Sequence, residues 1–122
     1  MKAETVRLDI PGAAEFLRLA RLTVSDMGTR AGFSYEDVDD LRIAVDELCY
    51  AIGAGDESIR LQLVYRISDQ RLEVEATCDR ALQVPGLSEL ANAIIAAVVD
   101  EFDLTSEAGV CGFRFVKSGN VP

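Results

Sequence analysis

Glu47 lies in the run DLRIAVDELCYAI, residues 40–52, and is the side chain in this sequence best placed to do chemistry. Asp37, Asp40, Ala44, Glu47 and Ala51 recur at helical spacing and share one face. Val38, Leu41, Val45, Leu48 and Ile52 form an apolar stripe one turn of phase away. Glu47 therefore sits at the edge of a packed surface. A carboxylate there is either an ordinary solvated charge or a base that orients a nucleophile above a pocket. The chain has no histidine, which excludes a cysteine–histidine or serine–histidine nucleophile and a histidine phosphoacceptor, and argues against a zinc site; no metal site is expected. Cys49, Cys78 and Cys111 are odd in number, lack a CxxC pair and each fall in an apolar periodic segment. They read as reduced, buried small hydrophobes in a reducing compartment.

The elements that must position Glu47 follow from periodicity. Residues 34–52 predict a helix, with Ser34 as its cap, acidic residues in its first turn and Gly53 as its stop. Before it, Val6, Leu8 and Ile10 alternate with polar residues as in a half-buried strand, ended by Pro11-Gly12. Residues 13–27 predict another helix, burying Ala13, Phe16, Leu17, Ala20, Val24 and Met27. Leu19 and Leu22 fall on another side of it, facing either a neighbouring element or a second protein. Two alternating runs, 59–66 and 72–78, flank the turn Ser68-Asp69-Gln70 and predict an antiparallel hairpin with one wet face. Residues 79–86 read as irregular, 87–99 as a helix capped by Ser88, and 101–105 with 110–116 as a second hairpin. Residues 117–122 read as a frayed tail. The order strand, helix, helix, two strands, helix, two strands makes an α/β (α+β) two-layer sandwich, its sheet mixed and mostly antiparallel, with helices on one face.

Composition bounds the function. The 122 residues suit one domain with a real core, and 49% hydrophobic with 27% charged residues is ordinary globular composition. The longest apolar run, AIIAAVV at 93–99, is too short to span a bilayer, and the amino-terminal residues lack the apolar centre of a secretory signal; no membrane partner and a cytoplasmic location are expected. A net charge of −9 argues against direct nucleic-acid binding and suits either plain solubility or a basic protein partner.

DLRIAVDELCYAI closely resembles the signature helix of the anti-sigma factor serine kinases, members of the ATPase family that includes gyrase and the histidine kinases. The element order matches over nearly the whole chain, and VVDEFDL at 98–104 resembles that family's passage from late helix to strand. The resemblance implies one histidine-kinase-like ATPase domain over residues 1–122, in which Glu47 matches the family's base. Asp79 matches the aspartate that reads the adenine amino group, and Gly86 belongs to the turn that cradles phosphates; with Glu47 these are the nucleotide-binding candidates. Several positions depart from the family pattern. Ala51 replaces the magnesium-holding asparagine, Ala81 and Gln83 replace adenine-box glycines, and Glu89 puts a carboxylate where the triphosphate should rest. Residues 79–87 are also too few for a lid over ATP. The helix wording and this erosion together are similar to certain actinobacterial anti-sigma factors.

Arg21, within LRLARLTVSDM, matches the arginine that the family presents to the sigma factor and to the anti-anti-sigma factor. The resemblance thus implies an anti-sigma factor-like protein that sequesters an RNA polymerase sigma factor through Arg21, Leu19 and Leu22, with no cofactor and with a homodimer as a companion expectation. The alternative is an ATP- and magnesium-dependent serine/threonine kinase acting on an anti-anti-sigma factor. A regulatory domain with some other partner is the third reading.

Overall fold

A computed structural model describes residues 3–79, 87–107 and 110–119. Five strands form one sheet in the order β1-β2-β3-β5-β4: β1 Glu4–Pro11, β2 Arg60–Ser68, β3 Arg71–Cys78, β4 Glu101–Glu107 and β5 Val110–Ser118. Each adjacent pair is antiparallel, so the sheet is antiparallel throughout rather than mixed. Three helices, α1 Leu17–Arg30, α2 Tyr35–Ala51 and α3 Glu89–Val98, form the second layer. This is the two-layer arrangement the element order predicts.

The period-two pattern of the strands decides which face the helices cover. Rows of residues run across the sheet in register, such as Val6, Tyr65, Val74, Phe115 and Phe102, or Leu8, Leu63, Ala76, Phe113 and Leu104. The members of these rows on β2, β3 and β5 are buried, and those on the outer strands are half-buried. The tyrosine is accommodated because its hydroxyl donates to the Ala20 carbonyl of α1 at 3.2 Å. The opposite face is wet and carries an ion network: Arg66 and Arg114 both reach Glu73, and Arg66 also pairs with Glu75.

α2 is the keystone of the helical layer. Ser34 caps it, its Oγ accepting the Asp37 amide at 3.1 Å, and Gly53 ends it at φ +116°, a conformation that disfavours any side chain. Leu41, Ala44, Val45 and Leu48 are wholly buried, Ile52 is nearly so, and Val38 packs against the same core.

Two details differ from the sequence expectation. The chain leaves Pro11-Gly12 through a 3-10 turn, Ala14–Phe16, so α1 begins at Leu17 and Phe16 stays exposed instead of joining the core. Gly12 is still pinned by backbone hydrogen bonds, donating its amide to the Ile59 carbonyl at 2.8 Å and accepting the Gly55 amide at 2.7 Å. Lys117 and Ser118 are not a frayed tail, because β5 runs through both. The Lys117 ammonium lies on the covered face, donates to the Val98 carbonyl at 2.7 Å and faces Asp40 at 3.5 Å and Asp37 at 3.6 Å. It thereby ties β5 to the amino-terminal part of α2 and to the end of α3. A buried lysine's reach for half-buried partners leaves no trace in hydropathy.

Truncating Leu48 to alanine should lower unfolding stability by roughly 2–5 kcal/mol in urea titration, and an unchanged midpoint would refute the packing of α2. Burial raises the Glu73 carboxyl, but hydrogen bonds and charge from Arg114 and then Arg66 outweigh it and hold the group below its usual value of 4.5. A depressed carboxylate contributes stability above its unfolded pKa and loses it as pH falls through the folded one. Glu73→Gln should therefore show a shallower loss of stability on acidification than the parent chain.

Candidate functional site

The two flanks of α2 build two different concavities. Toward α1, a groove is lined by Arg18, Arg21, Leu22 and Ser25 from α1 and by Asp39, Arg42, Ile43 and Asp46 from α2. Each set is spaced i, i+3, i+4, i+7, so each is a continuous stripe on its helix, and the groove is where the stripes meet. Arg21 Nη1 donates to Asp46 Oδ1 at 3.0 Å, and Arg42 pairs with Asp39 within α2. Three arginines stand against two aspartates, so the groove is locally positive on an acidic chain. Leu22 and Ile43 add apolar surface, exposed at 55% and 40%.

Arg21 is thus neither buried nor simply solvated. Its ion pair is 36% exposed on each side, a setting in which such a pair contributes at most about 1 kcal/mol, so its guanidinium can exchange partners at little cost. Leu22 lies in the groove wall. Leu19 is exposed at 42% on the neighbouring surface of α1, outside that wall. The sequence reading missed Arg18, Ser25, Asp39, Arg42, Ile43 and Asp46. The signal was present in the polar stripe Asp39, Arg42, Ile43, Asp46, which interrupts the acidic character of α2 with an arginine and an isoleucine.

Toward α3, a cleft of about 560 Å³ is lined by Glu47, Tyr50, Ala51, Ala54, Leu87, Ser88 and Ala91. Glu47 is half-buried, as an edge position requires. Ser88 is committed to capping α3, accepting the Ala91 amide at 3.0 Å. Glu89, the next residue, is exposed in the first turn. Asp79 is not part of this cleft among the described residues: its carboxylate accepts the Arg60 amide at 2.9 Å and closes the end of the β2–β3 hairpin. Gly86, Ala81 and Gln83 lie outside the described residues.

Among the described residues, three cleft positions are alanine methyls, Ala51 among them, and Glu47 is the single carboxylate on the wall. No group of three or more metal-capable side chains converges among the described residues. No described helix is long and apolar enough to cross a membrane. Behind both concavities, burial pushes the Cys49 thiol up to about 12; Asp46 adds to the shift and Arg21 opposes it.

No protein-family model matches the chain. It is 36% identical over 76 residues to a serine-protein kinase RsbW of Halalkalibacterium halodurans, covering 61% of this chain and 47% of that protein. Against a serine-protein kinase RsbW of Bacillus cereus it is 34% identical over 76 residues, covering 60% and 48%. The chain thus spans about half the length of the curated relatives it matches. Among solved structures, the RsbU and RsbW domains of Rv1364c from Mycobacterium tuberculosis superpose over 94% of this chain and 32% of that one, with a TM-score of 0.73 at 15% identity. By sequence over three-fifths of its length the chain is a homologue of the serine-protein kinases named RsbW, and nearly all of it shares the fold of that mycobacterial structure.

Proposed function

We propose that this chain is an anti-sigma factor-like regulatory protein that binds and sequesters an RNA polymerase sigma factor and is released from it by an anti-anti-sigma antagonist. The observation that carries the reading is the contrast between the two flanks of α2. The flank beside Glu47 offers methyl groups where a nucleotide metal needs oxygen ligands. The flank beside Arg21 keeps exposed arginine and apolar side chains suited to a protein partner. The homology to serine-protein kinases supports the family side of this reading.

Arg21 is the central contact. It leaves Asp46 to meet a carboxylate of the partner, while Leu22 and Ile43 bury apolar area around it and Leu19 extends the surface along α1. The net charge of −9 favours fast encounter with a basic sigma surface, and the local arginine excess sets the contact itself. Sequestration asks nothing of a cofactor, direct nucleic-acid contact or a membrane, and such a protein works in the cytoplasm. Self-association through Leu19 and Leu22 belongs to the same proposal.

The domain is a histidine-kinase-like ATPase fold over residues 1–122 with a degenerate nucleotide site. Phosphoryl transfer depends on positioning the triphosphate and on metal neutralising its charge. Glu47 can accept a proton, but Ala51 supplies no ligand to hold a metal and Glu89 adds negative charge at the head of α3. Asp79, held by the Arg60 amide, and Gly86 are then remnants of the nucleotide site. The kinase reading, with ATP and magnesium as cofactors, is favoured by the names of the relatives alone.

Two measurements test the proposal. Purified sigma factors of the same host, titrated one by one by calorimetry, should include one that binds the parent chain. Arg21→Glu should weaken that complex by about tenfold or more, ~1.4 kcal/mol, with its circular dichroism unchanged. Full affinity in the folded variant would remove Arg21 from the interface, and failure of every sigma factor to bind would refute sequestration. In the second measurement, incubation with ATP, magnesium and the host's anti-anti-sigma proteins should leave those proteins unphosphorylated. Stoichiometric phosphorylation lost in Glu47→Ala would establish the kinase instead.

A further inference from the structure

The groove between α1 and α2 does not end at Ser25 and Asp39. A second concavity of about 370 Å³ continues it toward the turn that joins the two helices. The two share Ser25, Asp39 and Arg42, and the second adds Thr29, Phe33, Tyr35 and Val38. The helices run antiparallel along it, with Arg21 facing Asp46 at one end and Thr29 standing with Tyr35 and Val38 at the other. The two ends differ in chemistry. At the first, Arg18 is exposed with no ion pair among the described residues, and Arg21 is held by a pair that is exposed on both sides. At the second, the Ser25 and Thr29 hydroxyls donate to carbonyls of α1 itself, at 2.8 and 3.0 Å, which leaves Phe33, Val38 and the Tyr35 ring to set its character. Tyr35 is 82% exposed, more than any other large apolar side chain among the described residues.

We propose that this continuous groove takes a single amphipathic helix of the partner, which sets a carboxylate on Arg18 and Arg21 and, two turns along, a large apolar side chain against Tyr35. The inference rests on the sigma-binding reading and specifies the segment that binds. Charge selects the acidic end: three arginines stand against two aspartates, and both aspartates are already paired. The walls select a helix. They are two helices whose backbone groups bond within themselves, so an extended peptide finds no strand edge, whereas a helix can seat its side chains between the two stripes. Asp46, opposite Arg21, and Val38 are eight residues apart on α2, about 12 Å at the helical rise. A helix laid along the groove spans that distance in two turns. Its carboxylate and its apolar side chain therefore stand seven residues apart on one face.

The spacing supplies specificity that Arg21 alone lacks. An acidic segment without the apolar side chain meets exposed arginines, a contact weakened by salt and by competing water. With it, the Tyr35 ring loses solvent on one face, and a tyrosine buries a large area while keeping its hydroxyl in water. Ser34, capping α2 immediately before Tyr35, fixes the backbone from which that ring projects.

The test uses the full chain and the host sigma factor that binds it in calorimetric titration. Tyr35→Ala and Thr29→Arg, both at exposed positions, should each weaken that complex about tenfold or more with circular dichroism unchanged. Tyr35→Phe and Glu36→Ala, the latter exposed in the same turn but outside the concavity, should bind as the parent chain does. A benzophenone side chain in place of Tyr35 should cross-link on irradiation to an apolar residue in a helix of the sigma factor. Reversing the charge of the Asp or Glu seven residues from that point should restore binding to Arg21→Glu. Full affinity in either folded variant, beside a weakened Arg21→Glu complex, would overturn the two-point groove and leave sequestration standing. A cross-link to a segment with no carboxylate at that spacing would do the same. Failure of every host sigma factor to bind the parent chain would overturn both.

Discussion

Burial of the inner face of α2 is the constraint on which the rest of this molecule depends. Leu41, Ala44, Val45 and Leu48 have no exposed surface, so the rotation of α2 about its axis is fixed by the core. With that angle set, Asp39, Arg42, Ile43 and Asp46 must face α1, and Glu47, Tyr50 and Ala51 must face α3. A single helix thus presents an arginine-bearing groove on one side and a cleft on the other. Neighbouring residues serve opposite flanks: Asp46 holds Arg21 while Glu47 lines the cleft. Any motion of α2 would disturb both at once, and Lys117 opposes such motion by holding Asp37 and Asp40 against β5.

The same geometry bears on the proposed loss of nucleotide ligands. Ala51 places on the cleft wall a methyl that is 3% exposed, compatible with the packing around it. A methyl in a close-packed wall carries no desolvation penalty, whereas an unfilled amide would need a partner. An alanine at such a position is therefore neutral or favourable to stability where no ligand has to be held.

Much of the architecture was legible because hydrophobic periodicity is strong in this chain. The alternation of Leu61, Leu63 and Tyr65 located β2, and Ser34 and Gly53 located both ends of α2. The cap at Ser88 was equally readable from its place before Glu89 and an apolar run. The entry into α1 was not, since Phe16 matches the helical period while the backbone passes first through a 3-10 turn after Gly12 is pinned to Ile59 and Gly55. Lys117 was misread for a related reason: hydropathy assigns a terminal lysine to solvent, and its partners, Val98, Asp37 and Asp40, are distant in sequence. Most of the groove was overlooked because it arises from two stripes on separate helices, each unremarkable alone.

Loss of the nucleotide chemistry with retention of the partner surface is the central claim, and magnesium dependence probes it most directly. Isothermal titration of the chain with ATP, in the presence and absence of magnesium, reads whether the cleft beside Glu47 still assembles a metal–triphosphate site. The account predicts that magnesium makes no difference and that no saturable heat develops up to millimolar ATP. Saturable binding that strengthens with magnesium and weakens in Glu47→Ala would contradict it.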